Sequence, residues 1–336
     1  MFFSVIIPLF NKAPYIAKAI SSVLSQTFSD YELVIIDDGS KDNSSEIALR
    51  AIEGRANCRL LRQHNAGVSK ARNNAVSVSN GDYLCFLDGD DWWDSHFLEE
   101  MAQLTELFPD AGIYGSNYTI VNETRQKTRI AKVGVGDGFE KGYINYCQAY
   151  AQTMYMPLWT GAVCVPRHVF DEMGGFPEHV KLGEDFLLWI HIAMKHKVAF
   201  LNKPLAYYNQ DVDAENRVVG RLHNPQEHLL WNLTDLEPLE ATDMDYKLLV
   251  DALRVYDLMP YYLSKEFRKA AMSELKKVDW AKQPQKIKRE YKRPIGILKL
   301  KYALMKIGST IKQKLFSYHY GKSNPNQMPL DRRHGS

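Results

Sequence analysis

Cysteine is scarce in this chain and has no pattern. The four residues Cys58, Cys85, Cys147 and Cys164 are scattered through 336 positions without a C-x-x-C pair, and three of them sit in apolar surroundings. That argues against a disulfide framework or a zinc site and predicts reduced, buried thiols in a cytosolic protein. No apolar run approaches the roughly 18 residues that a membrane span needs. The opening MFFSVIIPLF is apolar but short, carries no basic leader and ends near Pro8, so it predicts a first strand rather than a signal peptide. There is no G-x-G-x-x-G after that strand, no G-x-x-x-x-G-K-[ST] and no G-x-S-x-G. These absences weigh against a nicotinamide dehydrogenase, a P-loop ATPase and an α/β-hydrolase. No internal repeat is visible.

What is present reads as a globular chain. Hydrophobic content of 45% and charged content of 24% allow one large domain or two smaller ones. The first 115 residues alternate strand and helix signals. SVIIPL, ELVIIDDGS, CRLLRQ and GDYLCFLD predict strands. Between them, YIAKAISSVLSQ sets Ile16, Ala19, Ile20, Val23 and Leu24 on one helical face. Further helices are expected over about 44–53, 67–79 and from Ser95. Strands that are apolar on both faces and alternate with helices predict an α/β fold, with a mostly parallel sheet flanked by helices. Ligands of such sheets sit beyond the carboxyl ends of the strands, where Pro8–Asn11, Asp37–Ser40 and Asp88–Asp91 fall. From Gly112 to Tyr208 the alternation weakens. A helix opens after GED (Gly183 to Asp185), and beyond Asn209 the chain reads as mostly helical.

The stretch FLDGDDWW sets Asp88, Asp90 and Asp91 directly after an apolar strand. Like charges held together repel, so the stretch is either a solvated turn or a cation site. Asp88 and Asp90 project to one side of an extended chain, and Gly89 lets a ligand approach the backbone. Asp90, with Asp88 and Asp91 nearby, suits Mg²⁺ or Mn²⁺ through oxygen, which would neutralise a diphosphate leaving group. Asp38, ending VIID, can accept a hydrogen bond from a base imide, with Phe10 as an aromatic wall. Arg72 can anchor that carboxylate or contact phosphate through its planar fork of donors. Taken singly, an Asp-Gly-Ser turn and a lone arginine on a helix are ordinary features.

SVIIPLFNKAPYIAKAISSVLSQTFSDYELVIIDDGSKDNS, then NAGVSKARNNAV, then NGDYLCFLDGDDWW, run in order over the first 110 residues. Together they resemble the successive motifs of family 2 glycosyltransferases, which are inverting enzymes with the A-type glycosyltransferase fold. The resemblance implies transfer of one sugar from a nucleotide-sugar donor, UDP-linked by preference, to a hydroxyl of a glycan or lipid-linked glycan. It implies a divalent cation, Mn²⁺ or Mg²⁺, bound by Asp90. It also implies that Pro8, Phe10, Asp38 and Arg72 line the nucleotide pocket, that Asp88 and Gly89 lie by the ribose and diphosphate, and that Asp91 supports the loop. The family's downstream carboxylate base matches LGEDFLLW, with Asp185 first and Glu184 second. Such a base must reach the acceptor hydroxyl, although acidic residues in a first helical turn are favoured by the macrodipole alone. The Q-x-x-R-W motif of processive synthases is absent, which implies one sugar per encounter.

On this resemblance the chain divides into a nucleotide-sugar half (1–115), an acceptor-binding part of the same domain (116–222), a basic, mainly helical extension (223–322) and a disordered tail (323–336). His191 reads as a packed or surface histidine. Trp159 reads as core, or as a platform for a sugar ring. The polar segment 207–223 is a candidate lid from which Arg217 or His223 could reach phosphate or metal. Between Lys265 and Lys322 there are 17 basic and 4 acidic residues, against 25 basic and 36 acidic in the rest. With the mixed apolar and lysine pattern of 295–316, that balance predicts peripheral contact with an anionic membrane, at its cytoplasmic face, and no nucleic acid. The rival readings are a sugar-nucleotide nucleotidyltransferase, for which PLFNKAPY lacks a triphosphate-gripping loop, and a non-catalytic glycan-binding protein.

Overall fold

A computed structural model describes residues 1–122, 124–211 and 222–304. β1 (Phe3–Leu9), α1 (Ile16–Leu24), β2 (Tyr31–Asp37), α2 (Ser44–Ala51), β3 (Cys58–Arg62), α3 (Val68–Ser77) and β4 (Tyr83–Phe86) alternate as the sequence predicts. β5 (Trp92–Trp93), α4 (Phe97–Leu107), β6 (Ala111–Asn122), β7 (Lys127–Ile130), β8 (Lys141–Ile144) and α5 (Tyr146–Thr153) follow. Then come β9 (Val163–Pro166), α6 (Arg167–Glu172), α7 (Glu184–Lys195) and β10 (Lys197–Asn209). The last part holds short 3-10 turns and α8 (Met244–Asp257), α9 (Met259–Leu263), α10 (Arg268–Leu275) and α11 (Gln285–Tyr291). The chain forms two compact units, Met1–Tyr262 with Glu266–Val278, and Leu263–Lys265 with the residues from Asp279 onward.

One sheet runs through the first unit in the order β3-β2-β1-β4-β9-β6-β10-β5, with β7 beside β6 and β8 beside β10. The first four strands are parallel. Beyond β4 the sheet is mixed: β9 runs antiparallel to both β4 and β6, while β6 and β10 are parallel to each other. β1 and β2 are apolar on both faces because helices cover both. The α1 residues Ile16, Ala19, Ile20 and Val23 are buried, as their spacing predicts.

β6 is twelve residues long, yet its sequence hides it. Gly115 stands where a Cβ would meet Leu158 Cδ2 at 2.7 Å. The buried amide of Asn117 is satisfied by Asn202 Oδ1 at 2.8 Å and by the Ala131 carbonyl at 3.2 Å, beside the irregular register of β10. Small and polar residues inside a strand erase the expected pattern when their reasons are tertiary.

Between β4, α6 and α7 the core is aromatic. Phe86 is fully buried and packs on Phe170, Phe176 and Trp189 with ring centroids 5.0–6.3 Å apart. All four cysteines are free thiols, three of them buried. Phe86→Ala should lower the unfolding free energy by about 3–5 kcal/mol, read by urea titration of the circular dichroism signal. A loss below about 1 kcal/mol would mean that the neighbouring rings collapse to fill the space.

Candidate active site

β1 pairs with β2 on one side and with β4 on the other, so the strand order reverses there, and it is beyond the carboxyl ends at such a switch that ligands of open α/β sheets bind. The β1–β4 register ends at Ile6↔Phe86, and the Ile6 carbonyl accepts from Leu87 N at 3.0 Å. Pro8, two residues on, faces the same side, where no ladder needs the N–H that proline lacks. Phe10 stands at the lip, 40% exposed.

The turn after β1 is fastened to the turn after β2. Asn11 takes a left-handed conformation (φ 51°), accessible to asparagine. Its N–H donates to Ser40 Oγ at 3.0 Å and its Oδ1 accepts from Lys41 N at 2.8 Å. Lys12 N donates to Ser44 Oγ at 2.7 Å. Asp38 is buried and holds the entrance to α3: Oδ1 accepts from Gln63 Nε2 (2.7 Å) and Ala66 N (2.8 Å), and Oδ2 accepts from Gly67 N (2.9 Å). A carboxylate offers about four acceptor positions, so these bonds leave about one for a ligand.

The loop after β4 gathers the acids. Asp91 is buried and accepts from Asn209 N at 2.7 Å, tying the loop to the end of β10. Burial raises the Asp91 carboxyl well above its usual range, reinforced by Asp90 and Asp88. Asp90 is also raised by burial; Lys12 opposes the shift and Asp88 adds to it. Lys12 Nζ lies 2.6 Å from Asp90 Oδ2. Gly89 is not in the left-handed region, and a Cβ there would make only ordinary contacts, 3.5–3.6 Å from Ile16 Cδ1, the Pro8 carbonyl and Lys12 Cγ. The fold alone therefore does not require glycine at 89. Next to the acids in the chain, Trp92 stacks on Tyr207 (5.4 Å) and lies against the Lys18 ammonium (3.1 Å).

Arg72 joins this loop to the distant E-D pair. Its side chain is 3% exposed, and it donates to Asp88 Oδ1 at 2.7 Å and to Glu184 Oε1 at 3.1 Å. The expectation that Arg72 might anchor Asp38 is corrected: Asp38 is occupied by the 63–67 turn, and the guanidinium turns to Asp88 and Glu184 instead. Burial opposes its charge, but Asp88, Glu184 and Asp185 outweigh it and hold the proton more firmly. Glu184 and Asp185 form the first turn of α7, behind Gly183 at φ 80°, where a Cβ would strike Leu229 Cδ2 at 2.2 Å. Asp185 accepts from Thr160 Oγ1 at 2.5 Å and from Phe186 N at 2.7 Å. Burial raises Glu184 to about 7, with Asp185 adding to the shift and Arg72 opposing it.

Other expectations resolve individually. Trp159 is 9% exposed and packs between Tyr118 and Tyr208, so it belongs to the core. His191 bridges the Leu187 carbonyl and Asp235 Oδ2, a packing role. His223 Nε2 is buried without a hydrogen-bond partner among the described residues, and Arg217 lies outside them. Sequence reasoning missed Lys12 and Thr160, since neither stands in a pattern and each is recruited by a carboxylate far along the chain.

Carboxylate oxygens are the donors that hard cations take. The Lys12 ammonium, a positive charge already seated on Asp90, stands in for one. Among the described residues no three His, Cys, Asp or Glu side chains converge to hold a metal. One or two carboxylates, completed by phosphate and water, are how Mg²⁺-like ions are commonly held.

Residues 4–167 match the profile of Glycosyl transferase family 2. That part of the chain is a family 2 glycosyltransferase domain. An uncharacterized glycosyltransferase of Rickettsia felis is 32% identical over 205 residues, 60% of this chain and 32% of the relative. Glycosyltransferase GlyA of Streptococcus pneumoniae is 30% identical over 215 residues, 61% of the chain and 30% of the relative. The chain thus matches only about a third of these relatives' length. The crystal structure of S. aureus TarS 1–349 in complex with UDP-GlcNAc shares the fold, with a TM-score of 0.68, 19% identity and coverage of 82% of this chain and 80% of that one.

Glu184 also makes the site pH-sensitive. Its folded value of about 7 lies above the ordinary 4.5, so between those values the folded state binds more protons and stability falls as pH rises. Glu184→Gln should remove on the order of 3 kcal/mol of that decline, read as a flatter melting temperature between pH 4.5 and 7. An unchanged slope would mean that Glu184 ionises normally.

Proposed function

We propose that this protein is an inverting glycosyltransferase that moves one sugar from a nucleotide-sugar donor, UDP-linked by preference, to a hydroxyl of a glycan or lipid-linked glycan. The observation that carries this is the buried guanidinium of Arg72, bonded at once to Asp88 of the D-G-D loop and Glu184 of the E-D pair. It ties a loop suited to a diphosphate to a pair suited to a base. The UDP-GlcNAc and UDP complexes of TarS, a protein of the same fold, support a uridine donor.

The chain's own residues take these roles. Pro8, Phe10 and Asp38 receive the nucleoside, with the remaining acceptor position of Asp38 turned to a base imide N–H. Gly89 lets the donor approach the loop backbone, and Arg72 fixes Asp88 by the ribose and diphosphate. Asp90, beside Asp88, would hold Mn²⁺ or Mg²⁺, which when bound supplies positive charge against the departing diphosphate. Asp185, oriented by Thr160 and the Phe186 N–H, accepts the proton of the acceptor hydroxyl. The acceptor oxygen bonds to the anomeric carbon as the bond from that carbon to the diphosphate oxygen breaks, the electron pair leaving with the nucleotide. Attack opposite the leaving group inverts the configuration.

Calorimetry with UDP should show affinity that depends on Mn²⁺ and is lost in Asp90→Ala. Asp185→Asn should keep UDP affinity within a few-fold and lower turnover about a hundred- to ten-thousand-fold. Failure to bind UDP, GDP and dTDP alike would sink the enzyme reading; an Asp185→Asn enzyme at full rate would move the base to Glu184.

The acceptor side extends to a membrane partner. No described helix is long and apolar enough to cross a membrane, but helical residues 295–304 expose Ile297, Leu300 and Leu304. Their spacing puts them on one face, in a segment that also carries Lys292, Arg293, Lys299 and Lys301. Such a face suits the headgroup region of an anionic bilayer at the cytoplasmic side. Phosphatidylglycerol-rich vesicles should sediment the protein where phosphatidylcholine vesicles do not, with binding weakened by salt and by Leu300→Asp. Equal recovery with both vesicle types would refute the contact.

A further inference from the structure

Lys12 occupies the position that the donor site would give to a cation. Its backbone is fixed, since its N–H donates to Ser44 Oγ and its carbonyl accepts from Tyr15 N (2.9 Å) and Ile16 N (3.0 Å) at the entrance to α1. From this anchor the side chain passes near Gly89, where a Cβ would stand 3.6 Å from Lys12 Cγ, and ends on Asp90. The two side chains are 16% and 15% exposed, so the pair is largely withdrawn from water. The stem thus lies beside the one residue of the D-G-D loop without a side chain, and the ammonium covers the carboxylate oxygen that a metal would take.

We infer that Lys12 is a positioning residue that exchanges partners during donor binding: it neutralises Asp90 in the empty site, yields that oxygen to the divalent cation and turns its ammonium to the donor diphosphate. This rests on the donor-site reading above. The acids around the lysine leave it little else. Asp42, on the neighbouring turn, already accepts from Ala13 N, Ser44 N and the Ser44 hydroxyl, and Asp88 Oδ1 is held by Arg72. Five carboxylates, Asp88, Asp90, Asp91, Glu184 and Asp185, share this end of the sheet with Arg72 and Lys12. A displaced ammonium would therefore meet the incoming phosphates as a second positive charge. Lys12 then competes with the metal when the site is empty and cooperates with it when the nucleotide is bound. Metal and nucleotide binding are coupled, and by linkage the coupling acts equally in both directions.

The test is titration calorimetry of the full chain with Mn²⁺ alone, with UDP alone and with both, on the wild type, Lys12→Met and Lys12→Arg. Lys12→Met should bind Mn²⁺ alone about ten-fold more tightly, because its competitor is gone. The factor by which Mn²⁺ strengthens UDP binding should fall about five-fold or more, within the usual span of such couplings. Lys12→Arg, which keeps the charge, should stay near wild type in both, and this separates charge from packing. Unchanged Mn²⁺ affinity in Lys12→Met, with Mn²⁺-dependent UDP binding intact in the wild type, would overturn the exchange and leave the glycosyltransferase reading standing. Tighter Mn²⁺ binding in Lys12→Met, in a protein that binds no nucleotide, would keep the competition at Asp90 and overturn the donor reading and the transfer to diphosphate. No Mn²⁺ binding by any form would overturn the inference.

Discussion

Everything at this site depends on burying one guanidinium. Arg72 is nearly inaccessible to water, and a buried charge is tolerable only when it is paired and hydrogen-bonded. Its partners come from two regions remote in sequence, the loop after β4 and the start of α7. The fold therefore cannot satisfy Arg72 without bringing Asp88 and Glu184 together. Losing either acid would leave the buried guanidinium with one charged partner in place of two, and losing both would strand it, a loss usually larger than the worth of the pair itself. The arginine acts as the rivet of the crevice, while Asp38, Asp91 and Thr160 set the surrounding loops around it.

The second constraint is an excess of negative charge. Asp90, Asp91 and Glu184 are all pushed toward protonation, in each case chiefly by burial and then by neighbouring acids. A site with that bias is unfavourable when empty and improves when positive charge enters. Lys12 relieves part of it, and a divalent cation would relieve more.

The parallel half of the sheet was legible because both determinants were local: apolar strands covered on both faces, and helices with a clear buried stripe. The acids of FLDGDDWW were legible because they follow an apolar strand directly, where a charge needs a purpose, whereas the E-D pair, in a first helical turn that favours acids anyway, stood out only through the family resemblance. What the sequence hid was tertiary in origin. β6 contains Gly115 and Asn117, which make sense only against Leu158, Phe200 and the irregular register of β10. Lys12 and Thr160 look like ordinary turn residues until Asp90 and Asp185 are brought to them. The partners of Arg72 were not legible either, because Asp38 lies close in the motif order but is saturated by the turn before α3.

Pro8 carries one more consequence. β1 is a central strand, and its β4-facing side has no N–H to offer beyond Ile6. Neither β4 nor a strand from another molecule could zip further along that seam without losing a rung at the proline. Where the β1–β4 ladder ends it therefore meets a missing donor rather than a bulky side chain.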